Sequence, residues 1–563
     1  MRSLTLALIL LGFGSQVFGE DQPARPRLVL QITVDQLRGD LLARYAEHFG
    51  SGGFRYLLDE GSVYEDAHHT HANTETIVGH TTLATGAHPS AHGMVGNVWF
   101  DRETGHKTYN IEDPDYNLLT AGADVDDATE IDPTQRAATV AGRSPRSILV
   151  STFSDELVAN SAGRALAFGV SVKDRGAVSM AGHAGKAFWF SKASGEFVTS
   201  SYYYDRYPAW VEAHNAKRPT ARYAGKAWEL LHDLSTYLFG AADDVPWETD
   251  FPGYGRTFPH AFGDGTSKYF TTLLTVSPAG DEMTLAFAKD LIENEPLGRD
   301  AVPDFLGVSF SSTDYVGHLF SPSSLESEDN LLHLDRTLAE LFRTVDEKVG
   351  LEHTLIVLSA DHGAPEAPGY LEQFGIKAGY VDPSAWNQQP GLAALREKFG
   401  LAEELILSFI HPYVYLDQAA IRAQGLDPDV VEHAVAEELA KLPGVAAAVA
   451  SSDVRTGRVP DTRIHRSILH NFNPSRSGDV FIVFEPQHFI NDFDGLTVAS
   501  THGSPWTYDT FVPLIFAGAG VPAQRIHRRV HTVDVAPTLA AFVDVKSPSG
   551  AIGRPLVEVL RNR

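Results

Sequence analysis

The sequence predicts an α/β fold: a mostly parallel central sheet with helices on both faces. Four short apolar runs, residues 28–34 (LVLQITV), 305–310 (FLGVSF), 354–359 (TLIVLS) and 512–516 (VPLIF), read as buried parallel strands. Strands covered on both faces are apolar throughout rather than alternating. Helical periodicity separates the runs, as expected of strand–helix alternation. Three of the runs also lead into an aspartate: Asp35, Asp314 and Asp361.

Between the second and third runs, Leu331, Leu334, Leu338, Leu341 and Val345 step by three and four and paint one helix face. Ser327 is the expected cap and Gly350 the expected stop. Residues 430–442 give another amphipathic stretch, ended by Pro443-Gly444. Two intervals break the alternation. Residues 186–300 are rich in aromatics, including Phe188, Trp189, Tyr202–Tyr204 and Trp210, and residues 364–500 are irregular. Neither is bounded by a linker, so both read as insertions in one domain spanning residues 20–563. The aromatic stretch reads as the core of its insertion rather than as a substrate platform.

The chain of 563 residues carries 45 Lys+Arg against 72 Asp+Glu, a formal charge of −27. Such an acidic chain is a poor binder of nucleic acid or of an anionic membrane surface. Cysteine is absent, which excludes disulfides, thiolate zinc sites, iron–sulfur clusters and cysteine nucleophiles. At the N-terminus, Arg2 precedes an apolar stretch over residues 4–13, followed by small residues up to Gly19. This reads as a signal peptide over residues 1–19, and hence a periplasmic or secreted protein. No later run is long enough to span a bilayer. Oligomeric state is not legible.

The aspartates carry most of the functional argument. In open α/β sheets, ligands bind outside the carboxyl ends of the strands. Three carboxylates brought together there repel, and call for cations or protons. Histidines accompany them: His318 four residues after Asp314, His362 directly after Asp361, and His502 just before the run at 512–516. Imidazole and carboxylate together suit zinc. An aspartate after a strand is ordinarily a turn or cap residue, but six such residues at consistent strand ends are hard to explain as caps.

The stretch from Asn73 through Thr76, Gly79-His80 and Gly86 to Gly96-Asn97 resembles the alkaline phosphatase superfamily. It is similar in particular to the PafA-type branch of zinc phosphomonoesterases with a Thr nucleophile. Further matching pieces are Val34-Asp35-Gln36, Lys173-Asp174-Arg175, Asp314 with His318, Asp361-His362-Gly363, Thr501-His502-Gly503 and residues 532–539. The resemblance implies two Zn2+ ions. Asp314, His318 and His502 would hold one; Asp35, Asp361, His362 and the Thr76 oxygen would hold the other. It implies Thr76 as nucleophile and Asn97, Lys173 and Arg175 as ligands of the phosphoryl oxygens. If residues 173–175 are extended, Lys173 and Arg175 point the same way.

These roles imply an exported alkaline phosphatase. It would hydrolyse small phosphate monoesters through a phospho-threonine intermediate and release inorganic phosphate, with no nucleic acid or membrane as partner. Phosphodiesterase or nucleotide pyrophosphatase activity on the same scaffold is the alternative, disfavoured by Lys173 and Arg175. A non-catalytic zinc- or phosphate-binding protein is a more distant one. His68, His69 and His71 read as structural or surface residues, His80 as a packed core residue, and His88 and His92 as residues that order the Asn97 loop.

Overall fold

The computed structural model describes residues 25–401 and 404–560; the expected signal peptide lies outside the described residues. The main sheet comprises β1 (Leu28–Val34), β2 (Ser62–His68), β3 (Ala167–Ser171), β4 (Lys186–Ser191), β5 (Glu196–Val198), β6 (Asp304–Phe310), β7 (Thr354–Ser359), β8 (Phe511–Gly518), β9 (Gln524–Ile526) and β10 (Val530–His531). Its order is β9-β2-β8-β7-β1-β6-β3-β4-β5, and β10 also pairs with β2. The five strands β7-β1-β6-β3-β4 are parallel.

Every residue of β1, β6 and β7 is buried, as their apolar composition requires. Leu28, Leu30, Ile32 and Val34 face one core, shared with Leu331, Leu334, Leu338 and Leu341. Val29 faces a second core, with Phe305, Val357 and Leu539. Apolar cores on both sides of β1 produce the layered fold that the sequence predicts.

The expectation that residues 512–516 form a parallel strand is corrected. β8 runs antiparallel to both β7 and β2. Its apolar composition reports burial on two faces and carries no information about direction. The reversal matters for the site, because the start of β8 lies at the edge where β1, β6 and β7 end. His502, which precedes β8, therefore reaches the same edge as the aspartates that follow the parallel strands.

Four helices shape that edge: α1 (Thr76–Thr85), α2 (Asp174–Ala181), α3 (Ser312–Phe320) and α4 (Leu325–Lys348). The cap of α4 is Ser324, not Ser327; its side chain accepts the Ser327 N–H at 3.1 Å. The first turn buries polar residues such as Glu326, Glu328 and Asp329. Apolar periodicity consequently starts a turn and a half inside the helix.

Residues 186–198, read from sequence as the start of an insertion, form the edge strands β4 and β5 of the main sheet. From them, Phe188 and Phe197 pack ring against ring with Trp210 and Phe287, the Phe197 and Phe287 centroids 4.3 Å apart. The interval 364–500 builds a lobe around a four-stranded antiparallel sheet, ordered Ile406–Ile410, Tyr413–Leu416, Val480–Phe484, Val445–Ala450. The helix Pro428–Leu439 closes its core with Val431, Val435 and Leu439.

Candidate active site

Register brings the aspartates together. Val34 lies opposite Phe310 and Thr33 opposite Ser359, so β1, β6 and β7 end almost level. Asp35 follows β1 directly, Asp361 lies two residues past β7, and Asp314 sits in the first turn of α3. Gln36, in the left-handed region with φ of 67°, turns its backbone N–H onto Asp361 Oδ1 at 3.1 Å. Its Nε2 donates to Asp314 Oδ1 at 2.8 Å. One residue thus ties two of the carboxylates to the end of β1. Spacing gave no sign of this role, which needs neighbours 278 and 325 positions away.

The imidazoles share one orientation. His318 Nδ1 donates to the Ser500 carbonyl at 2.8 Å, His362 Nδ1 to Gly363 O at 3.0 Å, and His502 Nδ1 to Thr74 O at 2.7 Å. A carbonyl partner fixes the proton on Nδ1 and leaves Nε2 as a lone-pair donor, the usual arrangement of metal-binding histidines. Asp35 Oδ1 and His362 Nε2 lie 3.5 Å apart, buried and without a hydrogen bond. Buried orphaned donors of this kind fit a cation.

Among the described residues, donor atoms converge within 4.8 Å in two triplets: Asp35, Asp361 and His362, and Asp314, His362 and His502. The first is the set implied from sequence. In the second, His362 stands where His318 is expected. His318 Nε2 lies 3.3 Å from Asp314 Oδ1, as does His502 Nε2, but His318 completes neither triplet.

Electrostatics follow from the crowding. Burial, then Asp361 and Asp314, pushes the Asp35 carboxyl well up, against the pull of Lys173. Burial also opposes charge on Asp314, but His318 and Lys173 outweigh it and hold that carboxyl well below its ordinary range. His362 is pushed well down by burial, which keeps the imidazole neutral.

Thr76 opens α1, with extended Glu75 as its cap residue. The free N–H of Ile77 is satisfied by Asn97 Oδ1 at 3.1 Å. Asn97 therefore caps the helix as well as facing the cleft. Arg175 Nη2 lies 3.3 Å from Thr76 Oγ1, and its Nη1 pairs with Asp132 at 2.8 Å. Asp132 and Glu75, which sequence reasoning passed over, line the same cleft. Burial lifts the Glu75 carboxyl to about 7.

Residues 173–175 are not extended. Lys173 is the extended cap of α2 and Arg175 lies in its first turn, so the two side chains diverge. Arg175 faces Thr76, whereas the fully buried Lys173 ammonium sits between Asp35, at 2.9 Å, and Asp314. Asp174 turns away to Arg143 and the Tyr109 hydroxyl. His80 is buried as expected, but it also lies 2.9 Å from Asp361 Oδ2 and donates or accepts at Ser309 Oγ.

Thr76, Asn97, Arg175, Asp314, His318 and His502 line one cavity of about 160 Å³. Apolar residues line it as well: Leu319, Phe489, Phe493, Leu496 and Val498. The cleft thus offers both charge and hydrocarbon, with the Phe493 ring 4.9 Å from that of His318.

Residues 29–505 match the family model "Type I phosphodiesterase / nucleotide pyrophosphatase". The chain is 33% identical over 563 residues to a protein of Myroides odoratus named "Calcium-transporting ATPase", covering 99% of each. It is 33% identical over 541 residues to "Alkaline phosphatase PafA" of Elizabethkingia meningoseptica, covering 95% of each. The crystal structure of wild-type PafA superposes with a TM-score of 0.85 at 33% identity, over 95% of this chain and 99% of that one. The chain therefore belongs to the type I phosphodiesterase/nucleotide pyrophosphatase family, within the alkaline phosphatase superfamily.

Proposed function

We propose that the protein is an exported alkaline phosphatase that hydrolyses phosphate monoesters through a covalent phospho-threonine at Thr76. What carries the reading is one juxtaposition: Thr76 and Arg175 share a cleft with the Asp314–His502 edge of the clustered donors. The names of two relatives as alkaline phosphatases support it. So does the apolar run at residues 4–13 for export.

The clustered donors fit two zinc ions, and those of Asp35, Asp361 and His362 include buried atoms without a hydrogen bond. Asp35, Asp361 and His362 would hold one, with Thr76; Asp314, His318 and His502 would hold the other. Bound zinc would supply Lewis-acid stabilisation of phosphoryl charge and a lowered hydroxyl pKa. Arg175 binds phosphoryl oxygens and is aimed by Asp132. Asn97 holds the start of α1, whose N–H groups favour an anion beside Thr76. Thr76 Oγ1 attacks phosphorus, displacing the alcohol, and water then cleaves the phosphothreonine to release phosphate. Lys173 is engaged by Asp35 and Asp314. It reaches a phosphoryl group only when other cations take up those carboxylates.

Diester hydrolysis is the second reading, favoured by the family model. Initial rates on a monoester and a diester of one alcohol separate the two. A higher kcat/KM for the monoester is expected; a preference for the diester rejects the first reading.

A further inference from the structure

Behind the nucleophile loop lies a second cavity, of about 270 Å³, which the proposed reaction does not use. Its charged and titratable lining is basic: arginines and histidines, with neutral Thr70, Ser467, Pro505 and Thr510 between them. His68, His69 and His71 close its inner side, and Arg463, Arg466 and Arg529 line it from two separate segments. Among the described residues no carboxylate lines it, although Asp66 pairs with Arg529 and His68 at its margin, in a chain whose formal charge is −27.

Three observations fit this cavity to an anion. First, His71 is fully buried and neither ring nitrogen has a hydrogen-bond partner. A buried polar group is normally paired, so an imidazole lining a cavity with both nitrogens free calls for a ligand. Second, Arg463 has no carboxylate partner; it donates only to the Pro505 carbonyl, at 2.8 Å. Burial and the nearby Arg529 guanidinium both lower its pKa, and the carboxylate that pairs with Arg529, Asp66, makes no ion pair with Arg463. Third, the helix Arg463–Asn471 presents Arg463, Arg466, Ser467 and His470 to the cavity. Their three- and four-residue spacing stacks them on one face. A metal ion is the poorer match. The two converging donor triplets among the described residues include none of these imidazoles, and guanidinium groups repel cations.

We infer that this cavity is a second binding site, for a small, multiply charged oxyanion of the phosphate type. The arginines would bind its oxygens through charge-assisted hydrogen bonds. His71 would bridge to it from the inner wall. The site stands independently of the proposed activity. It is nevertheless tied to the catalytic side, since His470 Nδ1 donates to Thr70 O at 2.9 Å and Asn471 Oδ1 accepts the Asn73 N–H at 3.0 Å.

Equilibrium dialysis of the full, metal-loaded protein against inorganic phosphate tests the inference. Two equivalents per chain are expected, one of them lost in Arg175→Ala. The other should weaken about tenfold or more in Arg463→Gln/Arg466→Gln, with monoester turnover retained as evidence of folding. Because Arg466 also pairs with Asp461, Arg463→Gln alone provides a milder variant and should weaken the same equivalent. Binding of a single equivalent that Arg175→Ala removes would overturn the proposal. So would a second equivalent indifferent to both rim variants.

Discussion

A Cβ placed on Gly79 would lie 1.9 Å from the carbonyl oxygen of Asp361. The helix that presents Thr76 is thus packed directly against the backbone of a candidate metal ligand. Only hydrogen at position 79 permits this approach. Gly79→Ala should therefore cost about 3 kcal/mol by overpacking and move α1 away from β7. Thermal melts together with monoester turnover check this; a variant with unchanged melting and unchanged turnover would show that the contact has no consequence.

If Thr76 is the nucleophile, Thr76→Ala should lower kcat by a factor on the order of a thousand or more and leave no acid-stable phosphoprotein. Thr76→Ser keeps a hydroxyl and should keep measurable turnover. The check is quench-flow labelling with a phosphate monoester. Full activity in the alanine variant would refute the assignment.

If Arg175 binds phosphoryl oxygens as proposed, Asp132 acts on the reaction through it. Removing its charge in Asp132→Asn frees a guanidinium whose fork is held at 2.8 Å. A misplaced oxyanion ligand costs about a hundredfold. The loss should fall mainly on monoesters, whose extra unesterified oxygen the guanidinium would serve under the proposed function. Equal losses on monoester and diester would place Arg175 outside phosphoryl recognition.

Chelation should abolish turnover and zinc should restore it. It should also lower thermal stability, because ions bound only by the folded state contribute about 4 kcal/mol when present at a thousandfold excess over Kd. Three buried aspartates left with Lys173 as their nearest lysine account for the direction. A calorimetric scan with and without chelator measures it; identical scans would contradict metal binding at these residues.

Asp155 and His183, which do not line the cleft, form a pH-dependent pair 2.8 Å apart. The hydrogen bond to Asp155 raises His183 above its ordinary 6.5. Burial opposes the Asp155 charge, but His183 and backbone N–H groups outweigh it and lower that carboxyl below its ordinary 3.8. Their stabilisation is therefore complete between those two values. It fades as pH rises through the raised value of His183, and again as pH falls through the depressed value of Asp155. Asp155→Asn should flatten this dependence. It should also cost about 2 kcal/mol from hydrogen bonds to a charged acceptor. Denaturant titrations across pH would reveal a profile unchanged by the substitution if the pair contributes nothing.

The sequence by itself determined the α/β class, the central strands and the identity of most clustered donors. Burial on two faces leaves an apolar run, and a strand that ends at the donor cluster leaves an aspartate; both are local marks. Tertiary structure decided what depends on direction and on distant partners. The antiparallel course of β8 brings His502 to the aspartates, and composition is blind to it. Gln36, Asp132 and Glu75 take their places from neighbours remote in the chain. Lys173 and Arg175 diverge because a helix begins between them. The basic cavity assembles arginines and histidines from segments more than 390 residues apart. Such relationships arise only when the chain is packed, since electrostatic and hydrogen-bond partners are set by distance in space rather than by order in sequence.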